Sequence, residues 1–192
     1  MTDSFPYRTR RTVKPGQMDS TPPIAADVLR EILTDATWAP THGLTQPWRF
    51  QVFAGPARER LAAGLESLYD QITPPAERRE DKRAKLRANV IGAPVSIAVA
   101  ARFEAGGRIS ELDELAATCC AVQNLLLSAH QRGLGSFWAT PPAACSHEFA
   151  QWLGLGTDHR CLGLVFLGAA KAGVNPVSTR LPLAERVVFH SA

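Results

Sequence analysis

The chain has 192 residues, 45% hydrophobic and 20% charged. These are the proportions of an ordinary globular protein, with enough apolar surface for one core and too little charge for wholesale disorder. Its 21 Lys and Arg residues exceed 18 Asp and Glu by three, and a net charge of +3 argues for no nucleic-acid partner unless the basic residues cluster. One domain over 1–192 is therefore expected, with an N-terminal arm over 1–17 and a C-terminal tail over 170–192.

No run of eighteen apolar residues occurs, and Met1 to Arg11 lacks the apolar stretch of a signal peptide. A soluble, cytoplasmic protein without a membrane partner is the expectation. Cys119 and Cys120 are adjacent in an apolar helical stretch while Cys145 and Cys161 stand apart. Neither metal nor disulfide-scaffold spacing is present, so all four read as reduced, mostly buried thiols.

In chain order, Thr2 to Gln17 reads as an extended arm, because Pro6 and Pro15 interrupt a helix. Thr21 as N-cap and Pro22 at the first helical position open a helix whose stripe is Ile24, Val28, Leu29, Ile32, Leu33 and Ala36, and Pro40 closes it. Trp48, Phe50 and Val52 alternate with Arg49 and Gln51, which predicts a strand with one buried face over Trp48 to Phe53. Leu61, Leu65, Leu68 and Ile72 mark a second helix; after Pro74 and Pro75, the charged run Glu77 to Asn89 reads as a solvated helix.

Pro94 to Ala101 is a short apolar run, as in a strand covered on both faces. Glu111 to Arg132 is the longest helix, apolar around most of its circumference and so central or at a subunit interface, and Gly133 ends it. Ser136 to Thr140 and Cys161 to Leu167 read as strands, separated by a short helix near Ala144 to Trp152 that stops at Gly154. Val187 to Phe189 supplies a candidate last strand in the tail. Without strict βαβ alternation, a mixed α+β sheet sandwich is favoured over a doubly wound fold.

Several chemistries lack their anchors. Gly133 and Gly135 are followed by Trp138, and Gly154 and Gly156 by His159, where a dinucleotide fingerprint needs its third glycine. Gly168 and Gly173 precede Val174 and Asn175 where a phosphate loop requires Lys and Ser or Thr. Neither H-E-x-x-H nor G-x-S-x-G occurs. His147 near Cys145 and His159 near Cys161 are two ligand pairs without further ligands, so no metal is assigned and they read as surface loop residues.

Two features carry chemistry. Arg8, Arg10, Arg11, Thr12 and Lys14 gather positive charge and a hydroxyl in an extended segment, which suits a dianionic phosphate monoester or is a solvated basic arm. Ala39 to Phe50 sets a polar loop between a helix end and a strand, where binding residues concentrate.

Together these segments resemble the FMN-dependent nitroreductase family, whose members pair an N-terminal Arg-Arg-Ser or Arg-Arg-Thr with a loop ending in Gln-Pro-Trp and an aromatic strand. Arg10-Arg11-Thr12 and Gln46-Pro47-Trp48 occur here in that order, followed by the Gly133 to Trp138 and Gly163 to Gly168 segments. Ala39-Pro40-Thr41-His42-Gly43 is similar to the loop of a short-chain bacterial subgroup. The resemblance implies an α+β fold, a three-layer sandwich with a mixed, mainly antiparallel central sheet flanked by helices, and a homodimer with FMN between subunits. Arg10, Arg11, Thr12 and Lys14 would hold the phosphate and ribityl chain, joined by Arg180, while Trp138, Ala139 and Thr140 line the same chain's flavin. Trp38 and His42 would reach the partner's flavin. Trp38 and Trp138 are otherwise core aromatics, and Gln46 either caps the turn before Pro47 or contacts the flavin.

The sequence departs from the family pattern at His42, where many members have Asn, at Ala139, where some have Arg, and at Ala169 and Ala170 after Gly168. What the resemblance implies is an oxidoreductase that passes electrons from NAD(P)H to a small acceptor, such as a nitroaromatic or quinone, by ping-pong kinetics. The flavin carries the chemistry, so no catalytic side chain is required. A dehalogenase or flavin-fragmenting enzyme of the same fold, and a non-catalytic flavin or polyanion binder, are the rival readings.

Overall fold

The structure, a computed structural model, describes residues 5–104 and 106–190. The first element among the described residues is a one-turn helix α1, Pro6–Thr9, with Pro6 at its start. The expected fully extended arm is corrected here: a first-turn proline lacks only an N–H that has no helical partner anyway. Residues 1–4 of that arm lie outside the described residues. A 3-10 turn at Pro15–Gln17 leads into β1, Met18–Asp19.

Helix α2 spans Ala26–Ala36, not from Pro22. Thr21 gives both its N–H and its hydroxyl to Asp19 Oδ1 and does not cap the helix, and Pro23 pushes Pro22 out of helical backbone. Strand β2 is Trp48–Ala54. Its burial departs from simple alternation, since Phe53 is buried while Val52 is exposed; helices cover both sheet faces, and Phe53 joins the core opposite to Trp48. Helices α3, Ala57–Ile72, and α4, Glu80–Ile91, follow. The second is solvated as expected except for Leu86 and Val90, which anchor it.

Strand β3, Val95–Arg102, is buried from Val95 to Ala101. Helix α5, Glu111–Gln131, is capped by Ser110 Oγ, which accepts from Asp113 N at 3.2 Å, and ends where Gly133 takes φ +75°. Strand β4 is Gly135–Ala139. The short helix expected next is two, α6, Pro142–Cys145, and α7, His147–Trp152, because Ser146 leaves helical backbone to cap Phe149 N. Strand β5, His159–Ala170, outruns its prediction.

Among the described residues all strand ladders are antiparallel: β5 pairs with β3, β4 and β1, and β2 pairs with β3. An isolated parallel bridge, Thr12 to Ser136, adds the arm. One sheet face packs Ala98, Ala100 and Phe166 against Leu61, Leu65, Leu86 and Phe149 of α3, α4 and α7. The other packs Ile97, Val99 and Val165 against Ile32, Val122 and Leu125 of α2 and α5. This is the expected three-layer α+β sandwich, with each large side chain buried in it contributing about 1.5–3 kcal/mol.

The tail forms no strand among the described residues. Val188 and Phe189 lie exposed, beyond a 3-10 turn at Leu183–Glu185, with no strand of their own chain beside them. The thiols also differ from expectation: Cys161 is buried, but Cys119 and Cys120 face outward on α5. Among the described residues, no helix is long and apolar enough to cross a membrane.

Candidate functional site

The arm is pinned along β4. Val13 N donates to Ser136 O at 3.0 Å, and Val13 is buried against the face of Gly135, where no side chain intervenes. Pinning Val13 places Arg10 and Arg11 beside the end of α5. Arg11 Nη1 donates to the carbonyls of Arg8 and Arg10, at 2.7 and 2.9 Å. Thr9 Oγ1 and His130 Nε2 share a hydrogen bond of 2.8 Å. Burial, then the charges of Arg11 and Arg180, hold the Arg10 guanidinium below its ordinary value. Burial, Arg10 and Arg11 do the same to the His130 imidazole.

Among the described residues, Arg10, Arg11 and Arg180 have no carboxylate partner. Like charges gathered without counter-charge are a site for an anion. Beside them lies a cavity of about 540 Å³ between arm, α5 end and tail, bordered by Arg11, His130, Gly133 and Ser178. The tail is tied down by Lys171, whose N–H and Nζ donate to Gln17 O and Gly16 O. Arg180 itself donates to Ser178 Oγ and Thr179 O.

A second cavity, of about 530 Å³, opens further along β4. Alternation puts Gly135, Phe137 and Ala139 on one face, so both cavities follow that face of the strand. Phe137, Ala139, Pro141 and Pro142 make an apolar floor, and Lys14, Lys82 and Lys85 supply the charge. None of these lysines makes a salt bridge among the described residues, and the charge of Lys82 acts, after Arg79, on the adjacent Asp81. Trp138 points the other way: its indole packs into the α2–α5 core and its Nε1 donates to Leu162 O at 2.8 Å. Its side chain is thus a core aromatic, and only its backbone borders the groove side. Thr140 is exposed just past the strand end.

The loop after α2 is built by hydroxyls. Thr45 Oγ1 donates to Glu114 Oε2 at 2.7 Å and lies 3.1 Å from Thr41 Oγ1, which accepts from Gln46 N. Glu114 is 2% exposed. This chain holds Leu44 and Gln46 at φ +56° and +48°, left-handed backbone that non-glycine residues seldom take. Gln46 enters the turn through its backbone, leaving its side chain exposed. His42 Nδ1 sits 3.5 Å from Asp113 Oδ2; the Ser110 hydroxyl first, and His42 after it, hold the Asp113 carboxyl below its usual range. Trp38 is 82% exposed.

One chain does not bring these two groups together. His42 stands beside Asp113 in the first turn of α5 and the arm meets His130 in its last. At about 1.5 Å of rise per residue, those positions are roughly 25 Å apart.

The sequence reading missed Lys82 and Lys85, which share a helix face at i and i+3, and His130 and Glu114, whose roles come from distant neighbours. His147, Cys145, His159 and Cys161 border one cavity. They are not all surface loop residues, since Cys161 is buried in β5 and its thiol is pushed up to about 12, chiefly by burial. Among the described residues no three potential ligands group together for a metal.

Residues 7–169 match the Nitroreductase family. YfhC of Bacillus subtilis (strain 168), provisionally named an NAD(P)H nitroreductase, is 24% identical over 93% of this chain and 89% of its own. Among solved structures, a nitroreductase-like family protein from Bacillus cereus superposes with a TM-score of 0.84 at 26% identity, covering 100% of this chain and 97% of that one. A mutant of the FMN- and NADPH-dependent nitroreductase NfnB, from Sphigopyxis sp. strain HMH, superposes at 0.78 with 19% identity and full coverage of both chains. At that identity the likeness is one of fold.

Proposed function

The chain belongs to the nitroreductase family of oxidoreductases, and on that premise we propose that it binds FMN and uses it to pass electrons from NAD(P)H to a small acceptor such as a nitroaromatic or quinone. The observation that carries this reading is the pair of cavities along one face of β4. The uncompensated Arg10, Arg11 and Arg180 suit a phosphate, and the lysine-edged apolar floor suits a flat ring system that gains negative charge on reduction. The FMN and NADPH of NfnB, together with the name of YfhC, support the same assignment.

Arg10, Arg11, Thr12 and Arg180 would hold the phosphate and ribityl end. Lys14, which lines the second cavity and not the arginine one, would face the pyrimidine edge with Lys82 and Lys85 in place of the phosphate role the resemblance implied, and the backbone of Trp138, Ala139 and Thr140 would lie along the ring. When bound, FMN supplies the electron transfer itself, taken from NAD(P)H and released to the acceptor in ping-pong order. The protein's part is to bind, to orient and to keep positive charge at the edge where negative charge gathers.

A second copy of the chain completes the site in this proposal. His42, beside the first turn of α5, lies too far along that helix to serve its own chain's arm, and Trp38 and His42 are both exposed. The outward face of α5, carrying Leu112, Ala116, Cys119 and Cys120, is uncovered. Strand β2 is a free sheet edge, and the exposed Val187 to Phe189 tail is a segment of strand type able to pair with the partner's edge. Residues 191–192 of the tail lie outside the described residues.

The test is spectroscopic. Protein mixed with FMN should give a yellow complex of dimeric mass that bleaches under anaerobic NADH or NADPH and recovers its colour with a nitroaromatic or quinone. A colourless monomer that refuses FMN contradicts the proposal. Bound FMN that neither nicotinamide bleaches would make the protein a flavin binder without turnover.

A further inference from the structure

We propose that His130 is a proton-linked ligand of the phosphate held by the arm: it takes up a proton when a phosphate monoester binds beside Arg11 and Thr9. This rests on the phosphate reading of the arm given above and extends it to a residue that reading does not use.

His130 lies in the last turn of α5 and borders the same 540 Å³ cavity as Arg11, Gly133 and Ser178. Its Nε2 is fixed by Thr9 Oγ1 at 2.8 Å. The charged groups around it are Arg8 on α1, Arg10 and Arg11 on the arm and Arg180 on the tail beyond Arg10. From α2, the nearest carboxylates, Glu31 and Asp35, are engaged by Arg132 at 3.1 and 3.0 Å. No Asp or Glu is among the described residues that border the cavity.

Without an anion, burial and two guanidinium charges keep the imidazole neutral at neutral pH. A dianionic phosphate reverses the local sign, and the negative end of the α5 dipole adds to it. The bound state then favours imidazolium, which donates a charge-assisted hydrogen bond. The linkage sign follows: because binding raises the native imidazole pKa, a proton is taken up at any pH between the free and bound values. Affinity is therefore full below the free value and falls as pH rises through the bound value. The phosphate's own second ionisation, near about pH 6, is complete at pH 7.5 and does not mask the effect there.

The experiment is titration calorimetry of the full chain with FMN at pH 7.5, in two buffers of different ionisation enthalpy. Wild type is compared with His130→Gln and Thr9→Val, alongside imidazole NMR with inorganic phosphate as probe. Wild type should take up a proton on binding FMN. His130→Gln should take up none and bind FMN about tenfold more weakly, the size of one charged hydrogen bond. Thr9→Val, which keeps the imidazole, should retain the uptake. FMN binding without proton uptake, or uptake that survives in His130→Gln, overturns the proposal while the flavin reading stands. If wild type refuses FMN the flavin reading fails, and phosphate decides: a raised His130 pKa upholds the proposal, and an unmoved one overturns it.

Discussion

Val13 packs directly against Gly135, so that a Cβ built on the glycine would lie 2.8 Å from the Cβ of the valine. Both partners in that contact belong to rigid elements, a pinned arm and a central strand. A Gly135→Ala substitution must therefore lift the arm, with overpacking strain of about 1–3 kcal/mol. Thermal unfolding should move down by several degrees. If about 1.4 kcal/mol of that strain falls on the arm's ligand, FMN affinity drops about tenfold, read by flavin fluorescence quenching. A folded variant with native affinity would detach the arm from cofactor binding.

Arg10 and Arg180 supply charge to the same place from opposite ends of the chain. Arg10→Ala and Arg180→Ala should each weaken FMN binding by about 10- to 100-fold, as expected for loss of a charged hydrogen bond. Riboflavin, which lacks the phosphate, should bind native protein and variants alike. Equal losses for both ligands would place these side chains at the ring instead.

The buried carboxylate of Glu114 is the acceptor on which the Thr45–Thr41 hydroxyl chain ends. Glu114→Ala leaves the Thr45 hydroxyl without that acceptor and should cost about 1–3 kcal/mol in urea unfolding. Glu114→Gln keeps an acceptor oxygen and should lose less. An alanine variant with a native urea midpoint would show that the loop holds its left-handed residues by other means.

Ser96 Oγ, in β3, is buried with no hydrogen-bond partner among the described residues. Replacing a hydroxymethyl whose hydroxyl is unsatisfied by a methyl removes a desolvation penalty with little change of shape. Ser96→Ala should therefore be neutral or stabilising by up to about 1 kcal/mol. Thermal melts that show a clear loss instead would reveal a polar partner reached by side-chain motion.

Legibility in the sequence tracked periodicity. Helices α3 and α5 repeat an apolar stripe over three or more turns, and β3 is apolar throughout, so each was readable alone. The two residues of β1 carry no period, and the break between α6 and α7 depends on one serine choosing to cap. Thr21 had the chemistry of an N-cap but a nearer acceptor in Asp19. For the site, the arm and the loop were visible as contiguous motifs. Lys82 and Lys85 looked like any solvated helix face, and His130 and Glu114 gain their surroundings from residues many positions away. Trp138 was found on the right strand, but strand alternation turned its ring into the core.

Helix α5 works as a ruler. With His42 at one end and the arm at the other, no chain can close its own circuit in the dimer proposed above, and defects in the two ends become separable. Assayed at an FMN concentration that leaves the weakened sites empty, Arg10→Ala and His42→Ala protein should gain turnover when unfolded together and refolded as a mixture. A hybrid pair carries one site with both lesions and one with neither, so random pairing yields about a quarter of the native sites. Such complementation between subunits requires an active unit made of two chains.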